Sequence, residues 1–278
     1  MSLQGTHPKI YILNNNQLLT RIMSAITPTT STATQKQYPR ILVGTPTTDA
    51  KEYALARYLY AIKHIDYPNY DIVLVDNSKT PEFAQLMANH GVTVVRSPYM
   101  ENPRDQLIAA RNMLRKIAID GGYDYFLSLE SDVIAPPDII QQLLQHNKEY
   151  VTIVMDNYIL RADKVEKMRV VRRAFPDLPN KYYDLTDEEV NEGPLITIDR
   201  SHLGCTLIST NLLKQVEFRH DEWQYDDYLL CDDLRKLGVT LFCDTKAQIF
   251  HMCDGGSTHK RANLYMKQKE LEQRQLQK

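Results

Sequence analysis

The order of apolar runs between Tyr38 and Met155 constrains the fold more than any other feature of this chain. Short apolar runs alternate with longer segments of helical period. Ile41-Leu-Val43, Ile72–Val75, Val92–Arg96, Tyr125–Leu129 and Val151–Met155 read as five strands, the first closed by a loop at Gly44-Thr45-Pro46. Residues 50–65, Pro81–His90, Asp105–Asp120 and a segment opening at Pro136-Pro137-Asp138 read as helices. Leu55, Tyr58, Leu59 and Ile62 share one face of the first, and Leu107, Arg111, Leu114 and Ala118 one face of the third. Strands separated by helices pair in parallel through right-handed crossovers. The expectation is an α/β fold, a mainly parallel sheet with flanking helices.

The remainder is less regular. Residues 1–38 read as an extension, with a short strand at Lys9–Leu13, a short helix at Leu18–Ile26 and a Thr-, Ser- and Gln-rich linker at Thr27–Gln37. Residues 157–200 mix basic and acidic stretches and read as a long insertion. Thr206–Ser209, Val239–Phe242 and Gln248–His251 read as strands, 225–237 as a helix and Leu264–Lys278 as a polar helical tail. The division expected is an extension 1–38, one domain over 39–260 with halves 39–155 and 156–260, and a tail 261–278. A net charge of −2 argues against a general nucleic-acid binder. No apolar run reaches the roughly 18 residues of a membrane span, and the start lacks a signal-peptide core. Cys205, Cys231, Cys243 and Cys253 match no zinc framework and suit free thiols in a reducing compartment. A cytoplasmic location, with peripheral membrane association open, is expected.

Chemistry can gather at the strand ends. Tyr123-Asp-Tyr-Phe-Leu-Ser-Leu-Glu130-Ser131-Asp132 ends an apolar run in two carboxylates one residue apart. Residues two apart on a strand project to the same side, so Glu130 and Asp132 can converge where α/β sheets bind ligands. Converging carboxylates repel unless a cation or proton lies between them. The Gly44–Asp49 loop has one glycine, which supports neither a dinucleotide fingerprint nor a P-loop. It can still bring hydroxyls and backbone groups to a nucleotide. Asp76 ends the second strand, either receiving a base or ribose or making an Asx turn with Asn77 and Ser78. Arg111 lies on an apolar helix face and needs an anion: Asp76, Asp132 or a ligand phosphate. Asp226 and Asp227 precede an apolar helical run, as a helix N-cap or as a general base beside a second charge. His251 ends a short strand and suits Mn2+ as a ligand. The Gly255-Gly256 loop and Lys260 could lie against a diphosphate.

Taken in order, these pieces resemble the GT-A glycosyltransferases, most like the family-2 type, over about residues 39–260. Gly44-Thr45-Pro46 looks like the first nucleotide loop. Val75-Asp76-Asn77-Ser78 resembles the V-D-D-x-S segment, and Ala110-Arg111-Asn112 the A-R-N helix signature. Glu130-Ser131-Asp132 resembles the D-x-D metal motif with Glu in first place, Gly204–Ser209 the G-x-x-L-I strand, and Asp226-Asp227 the E-D pair. His251 sits where the family often has its last metal ligand. The resemblance implies a GT-A fold and transfer of a sugar from a nucleoside-diphosphate sugar, UDP favoured over GDP, to a hydroxyl on a glycan, lipid or protein, with inversion. It implies donor contacts at Thr45, Pro46, Asp76, Arg111, Glu130, Ser131 and Lys260. It also implies Mn2+ or Mg2+ on Asp132 and His251, and a base at Asp227 or Asp226. The alternatives are a sugar-phosphate nucleotidyltransferase and a non-catalytic nucleotide- or sugar-binding module.

Overall fold

A computed structural model describes residues 10–12, 38–161, 164–178 and 180–252. The expected helix Leu18–Ile26, the linker Thr27–Gln37, Lys260 and the tail Leu264–Lys278 lie outside them.

The strands are β1 (Ile10–Ile12), β2 (Ile41–Thr47), β3 (Tyr70–Asp76), β4 (Thr93–Arg96), β5 (Tyr125–Leu129), β6 (Val133–Ile134), β7 (Tyr150–Ile153), β8 (Asp156–Arg161), β9 (Lys164–Arg169), β10 (Arg172–Ala174), β11 (Tyr182–Asp184), β12 (Leu195–Ile198), β13 (Cys205–Ser209), β14 (Leu241–Asp244) and β15 (Phe250–His251). The helices are α1 (Glu52–Lys63), α2 (Glu82–Asn89), α3 (Pro103–Asp120), α4 (Ile139–Leu144), α5 (Asp187–Val190), α6 (Thr210–Leu213) and α7 (Asp226–Lys236).

Among the described residues nine strands form the main sheet, in the order β1-β4-β3-β2-β5-β13-β7-β14-β12. The β1-β4-β3-β2-β5 block is parallel throughout. β13 then enters antiparallel to both β5 and β7. β14 returns parallel to β7, and β12 closes the edge antiparallel. The strands read as continuous apolar runs because helices cover both faces of the sheet. Leu42, Val73, Val75 and Phe126 face the core shared with α3, α6 and α7. Ile41, Val43, Leu74 and Leu127 face the core shared with α1, α2 and α4. The period of two along each strand divides the apolar residues between these layers.

Two sequence expectations change here. β2 does not end at Val43 but runs through Gly44-Thr45-Pro46 to Thr47, pairing with β3 as far as Thr47 opposite Asp76. β3 extends that far, while the pairing with β5 stops at Gly44 opposite Ser128, so the glycine sits inside the strand. A Cβ on Gly44 would collide with the Phe126 ring of β5 and crowd Leu114 of α3, so the glycine makes room for both side chains on this face of the sheet. The insertion also has order. β8 and β9 form one hairpin, β10 and β11 another, and β12 joins the main sheet. Its mixed charges pair internally: Arg169 with Asp156 and Asp187, Arg172 with Asp184, and Arg173 with Glu189 and Glu192.

Among the described residues no helix is long and apolar enough to cross a membrane. Cys205, Cys231 and Cys243 are free and buried.

Candidate active site

The ends of β2, β3 and β5 open on one edge of the sheet, as parallel strands must. Asp76 is fully buried at the end of β3. Its Oδ1 accepts from the Ser78 amide at 3.1 Å and from Ser78 Oγ at 2.5 Å, an Asx turn. Arg96 Nε donates to Oδ2 at 3.1 Å, and an Arg96 NH group donates to the Ser78 carbonyl at 2.6 Å. Burial raises the Asp76 pKa, although Ser78 and Arg96 pull the other way. Arg96 is a site residue that sequence reading missed, since it looked like the last residue of a strand.

Thr45 is fully buried, and its hydroxyl meets Tyr58 Oη and donates to the Leu129 carbonyl at 2.6 Å. That hydroxyl therefore belongs to the α1 side of the core. Thr47, two residues on at the strand end, has a buried Oγ1 without a hydrogen-bond partner, as do Asn77 Oδ1 and Ser97 Oγ nearby in sequence to Asp76 and Arg96. Buried polar atoms without partners are uncommon and call for an explanation such as a ligand or water.

Asp132 follows β5 and is 2% exposed. β15 pairs antiparallel with β6, setting His251 opposite Val133, and the Met252 amide donates to the Asp132 carbonyl at 2.7 Å. This brings His251 Nε2 to 3.4 Å from Asp132 Oδ2. The same oxygen receives Lys51 Nζ and, at 2.9 Å, Tyr53 Oη. Burial pushes the Asp132 carboxyl upward, but the His251 hydrogen bond and the Lys51 charge outweigh it and hold the pKa well below the usual range. Lys51 and Tyr53, at the start of α1, gave no signal in the sequence beyond exposed positions on an amphipathic helix.

Asp132 Oδ1 is buried with no hydrogen-bond partner. A carboxylate oxygen left open beside an imidazole fits a hard or borderline divalent cation such as Mn2+ or Mg2+. Among the described residues no group of three or more His, Cys, Asp or Glu side chains surrounds one point. A cation here would therefore take only Asp132 and His251 from these residues and fill its shell from a ligand's oxygens and water.

α3 supplies the link to the acid pair. Pro103 starts the helix, and the Asn102 side chain caps it by accepting from the Arg104 amide at 2.9 Å. Its buried stripe carries Arg111 between Ala110 and Leu114. The guanidinium is 3% exposed, as is the Asp226 carboxylate that Arg111 Nε meets. That contact is close but off the N–H direction, so it is an ion pair and not an aligned hydrogen bond. The terminal nitrogens donate to Ser128 Oγ at 3.2 Å and Glu130 Oε1 at 3.1 Å. Neither Asp76 nor Asp132, the protein anions expected from sequence, is its partner: Asp226 on α7 and Glu130, which follows β5, take it instead. Glu130 and Asp132, expected to converge, are divided between two cations. Ser131 between them is buried.

Neither Asp226 nor Asp227 caps α7. Tyr225 occupies that position, and both acids lie in the first turn. Asp226 turns inward to Arg111. Asp227 keeps a solvent-facing edge though protein surrounds most of its carboxyl, and the Tyr228 amide donates to it at 2.8 Å. Burial, followed by the neighbouring Asp226 charge, raises the Asp227 pKa to about 7. Such a group can take and release a proton near neutral pH.

The sheet and this edge define a GT-A fold, with acidic groups at the strand ends and a carboxyl of raised pKa in the first turn of α7. The family model for glycosyl transferase family 2 matches residues 43–215, and the chain belongs to that family. Solved structures of TarS from S. aureus share the fold. TarS 1-349 in complex with UDP-GlcNAc is 14% identical over 79% of this chain and 60% of that one, with a TM-score of 0.52. A longer TarS structure is 16% identical over 77% of this chain, with a TM-score of 0.51, and the match spans 37% of its length. No curated protein matches the chain by sequence.

Proposed function

We propose that this chain transfers a sugar from a nucleoside-diphosphate sugar, with UDP favoured over GDP, to an acceptor hydroxyl with inversion. The observation that carries the reading is Asp227, poised near neutrality beside an Asp226 already committed to Arg111. The fold neighbour that holds UDP-GlcNAc supports a UDP donor.

In this reading Asp76 and the open Thr47 and Asn77 oxygens receive the base and ribose, and Pro46 and Ser131 shape the floor. Glu130, held by Arg111, faces the ribose side, and Arg111 fixes Glu130 and Asp226 together. Asp132 and His251 would hold a divalent cation, which when bound would supply positive charge against the diphosphate. Asp227 takes the acceptor proton as its oxygen attacks the anomeric carbon from the side opposite the leaving group. Lys260, in the segment after β15, supports the diphosphate.

A melting-temperature screen of UDP, GDP, CDP and dTDP, with and without Mn2+, tests the reading. UDP at 100 times its Kd should stabilise the fold by about 2.7 kcal/mol, more with Mn2+ present. No shift with any nucleotide would sink the donor assignment. Release of pyrophosphate from a nucleoside triphosphate and a sugar phosphate would favour the nucleotidyltransferase alternative.

Lys51 gives a sharper check. Its ammonium occupies the anionic oxygen that a cation would share. In Lys51→Met, Mn2+ should bind several-fold more tightly, read by the metal-dependent rise in melting temperature with UDP. Unchanged Mn2+ dependence would remove Lys51 from the cation's place.

A further inference from the structure

Just before Asp226 the chain presents two large rings to solvent. Trp223 is 84% exposed and Tyr225 51% exposed. They are not the tips of a loose loop. The Asp221 carboxylate accepts from the Trp223 amide at 2.7 Å and from the Gln224 amide at 2.6 Å. An Arg104 NH group, from the first turn of α3, donates to the Asp221 and Glu222 carbonyls at 3.1 Å each. Arg104 also lies 4.3 Å over the Tyr225 ring. His220 Nε2 sits 2.7 Å from Asp105 Oδ1. The backbone is fixed while an apolar ring is held in water. Against the Tyr225 ring opens a groove of about 750 Å³, lined by Asn102, Arg104, His220, Asp221, Glu222 and Tyr225, with Trp223 next in sequence to the lining Glu222.

We propose that this groove and its aromatic wall bind the acceptor, and that the acceptor is a neutral oligosaccharide. The inference rests on the glycosyltransferase reading and adds the chemical class of the second substrate. Rigid Trp and Tyr rings offer a large amphipathic contact surface at low entropic cost. A pyranose ring matches them, with C–H groups on its face and hydroxyls around its edge. The hydroxyls meet the Asn102 amide and the Glu222 carboxylate on the rim. The volume lies within the roughly 300–1,000 Å³ of small-ligand sites. The rim carries no unpaired basic cluster, since Arg104 is bound to carbonyls and a ring and His220 to Asp105. That disfavours an anionic glycan or an acidic lipid surface. Tyr225 directly precedes Asp226 and Asp227, so the ring and the acid pair lie on one short stretch of chain.

Trp223 is the sole tryptophan of the chain and therefore reports its own contact. The full chain would be titrated with oligomers of glucose, N-acetylglucosamine, mannose and galactose, each with and without UDP, while Trp fluorescence and its quenching by acrylamide are followed. At least one neutral oligomer should shift the spectrum saturably and protect Trp223 from quenching. Tyr225→Ala, which keeps the reporter, should weaken that binding at least tenfold. The quenching measurement on the unaltered chain stands if that variant does not fold. A spectrum that no oligomer moves, in protein whose melting temperature UDP raises, would overturn the acceptor assignment alone. A shift with phosphatidylglycerol vesicles only would overturn it in favour of a membrane contact. Failure of UDP to bind, with the oligomers still binding, would overturn the donor reading instead.

Discussion

Asp227→Asn is expected to lower sugar transfer about 10²- to 10⁴-fold, the range for losing a general base, and to raise the melting temperature above pH 7. Both effects have one source. The fold holds this carboxyl at about 7 against an ordinary value of 3.8. Below pH 4 it is neutral folded or unfolded and costs nothing. Between about pH 4 and 7 the unfolded chain gives up this proton while the folded chain keeps it, because ionising it among protein groups and beside Asp226 is unfavourable, so stability falls across that window and levels off above 7. The upper bound of that loss is about 4 kcal/mol, and about half of that allowing for its solvent-facing edge. The asparagine variant should match the parent near pH 4 and exceed it at pH 8. In the parent, kcat/KM should fall about tenfold per pH unit below 7, as the base is protonated. Thermal melts and pH–rate profiles of the two proteins check this. A variant that keeps its turnover removes the base assignment, and one with an unchanged melt at pH 8 removes the account of the raised pKa.

The second large effect is at Arg111. Arg111→Met should destabilise the protein by about 3–5 kcal/mol, because Asp226 would stay buried without its counter-charge. Pairing that change with Asp226→Asn should restore much of the stability, since the stranded charge is then gone. It should not restore transfer, because Glu130 also loses its partner. A double-mutant cycle by denaturant unfolding would read the coupling, expected above about 2 kcal/mol for a pair in direct contact. A coupling below about 0.5 kcal/mol would mean that Asp226 finds water or another cation.

The parallel half of the sheet was legible because its signals are local. β5 was expected and found at Tyr125–Leu129. β3 and α3 differ from expectation by only one or two residues at an end, where period and capping blur. The insertion was not legible. Its strands are short, and the residues that anchor them in the core, Val171, Leu185, Ile196 and Ile198, are scattered among charged residues such as Arg173 and Glu192. At the site, residues with strand-end carboxylates stood out. Lys51, Tyr53 and Arg96 did not, because each acts through a partner 20 or more residues away, as Arg96 does on Asp76. Asp226 and Asp227 were visible as a pair, but only the docking of α7 on Arg111 distinguishes them.

The hydroxyl of Tyr53 lies 3.0 Å from the Met252 carbonyl, 199 residues away, and shares its one proton between that carbonyl and the Asp132 carboxylate. Tyr53 also holds Asp132, 79 residues away. Closing the longer loop costs only about 0.8 kcal/mol more than closing the shorter one, so stability is not the main consequence. Order of synthesis is. A nascent chain can complete the parallel sheet while β15 is still unmade. Until it is made, Asp132 has Lys51 and Tyr53 but neither His251 nor the Met252 amide. In a ribosome-stalled chain ending before Phe250, Lys51 and Tyr53 would therefore hold Asp132 without the imidazole that β15 brings.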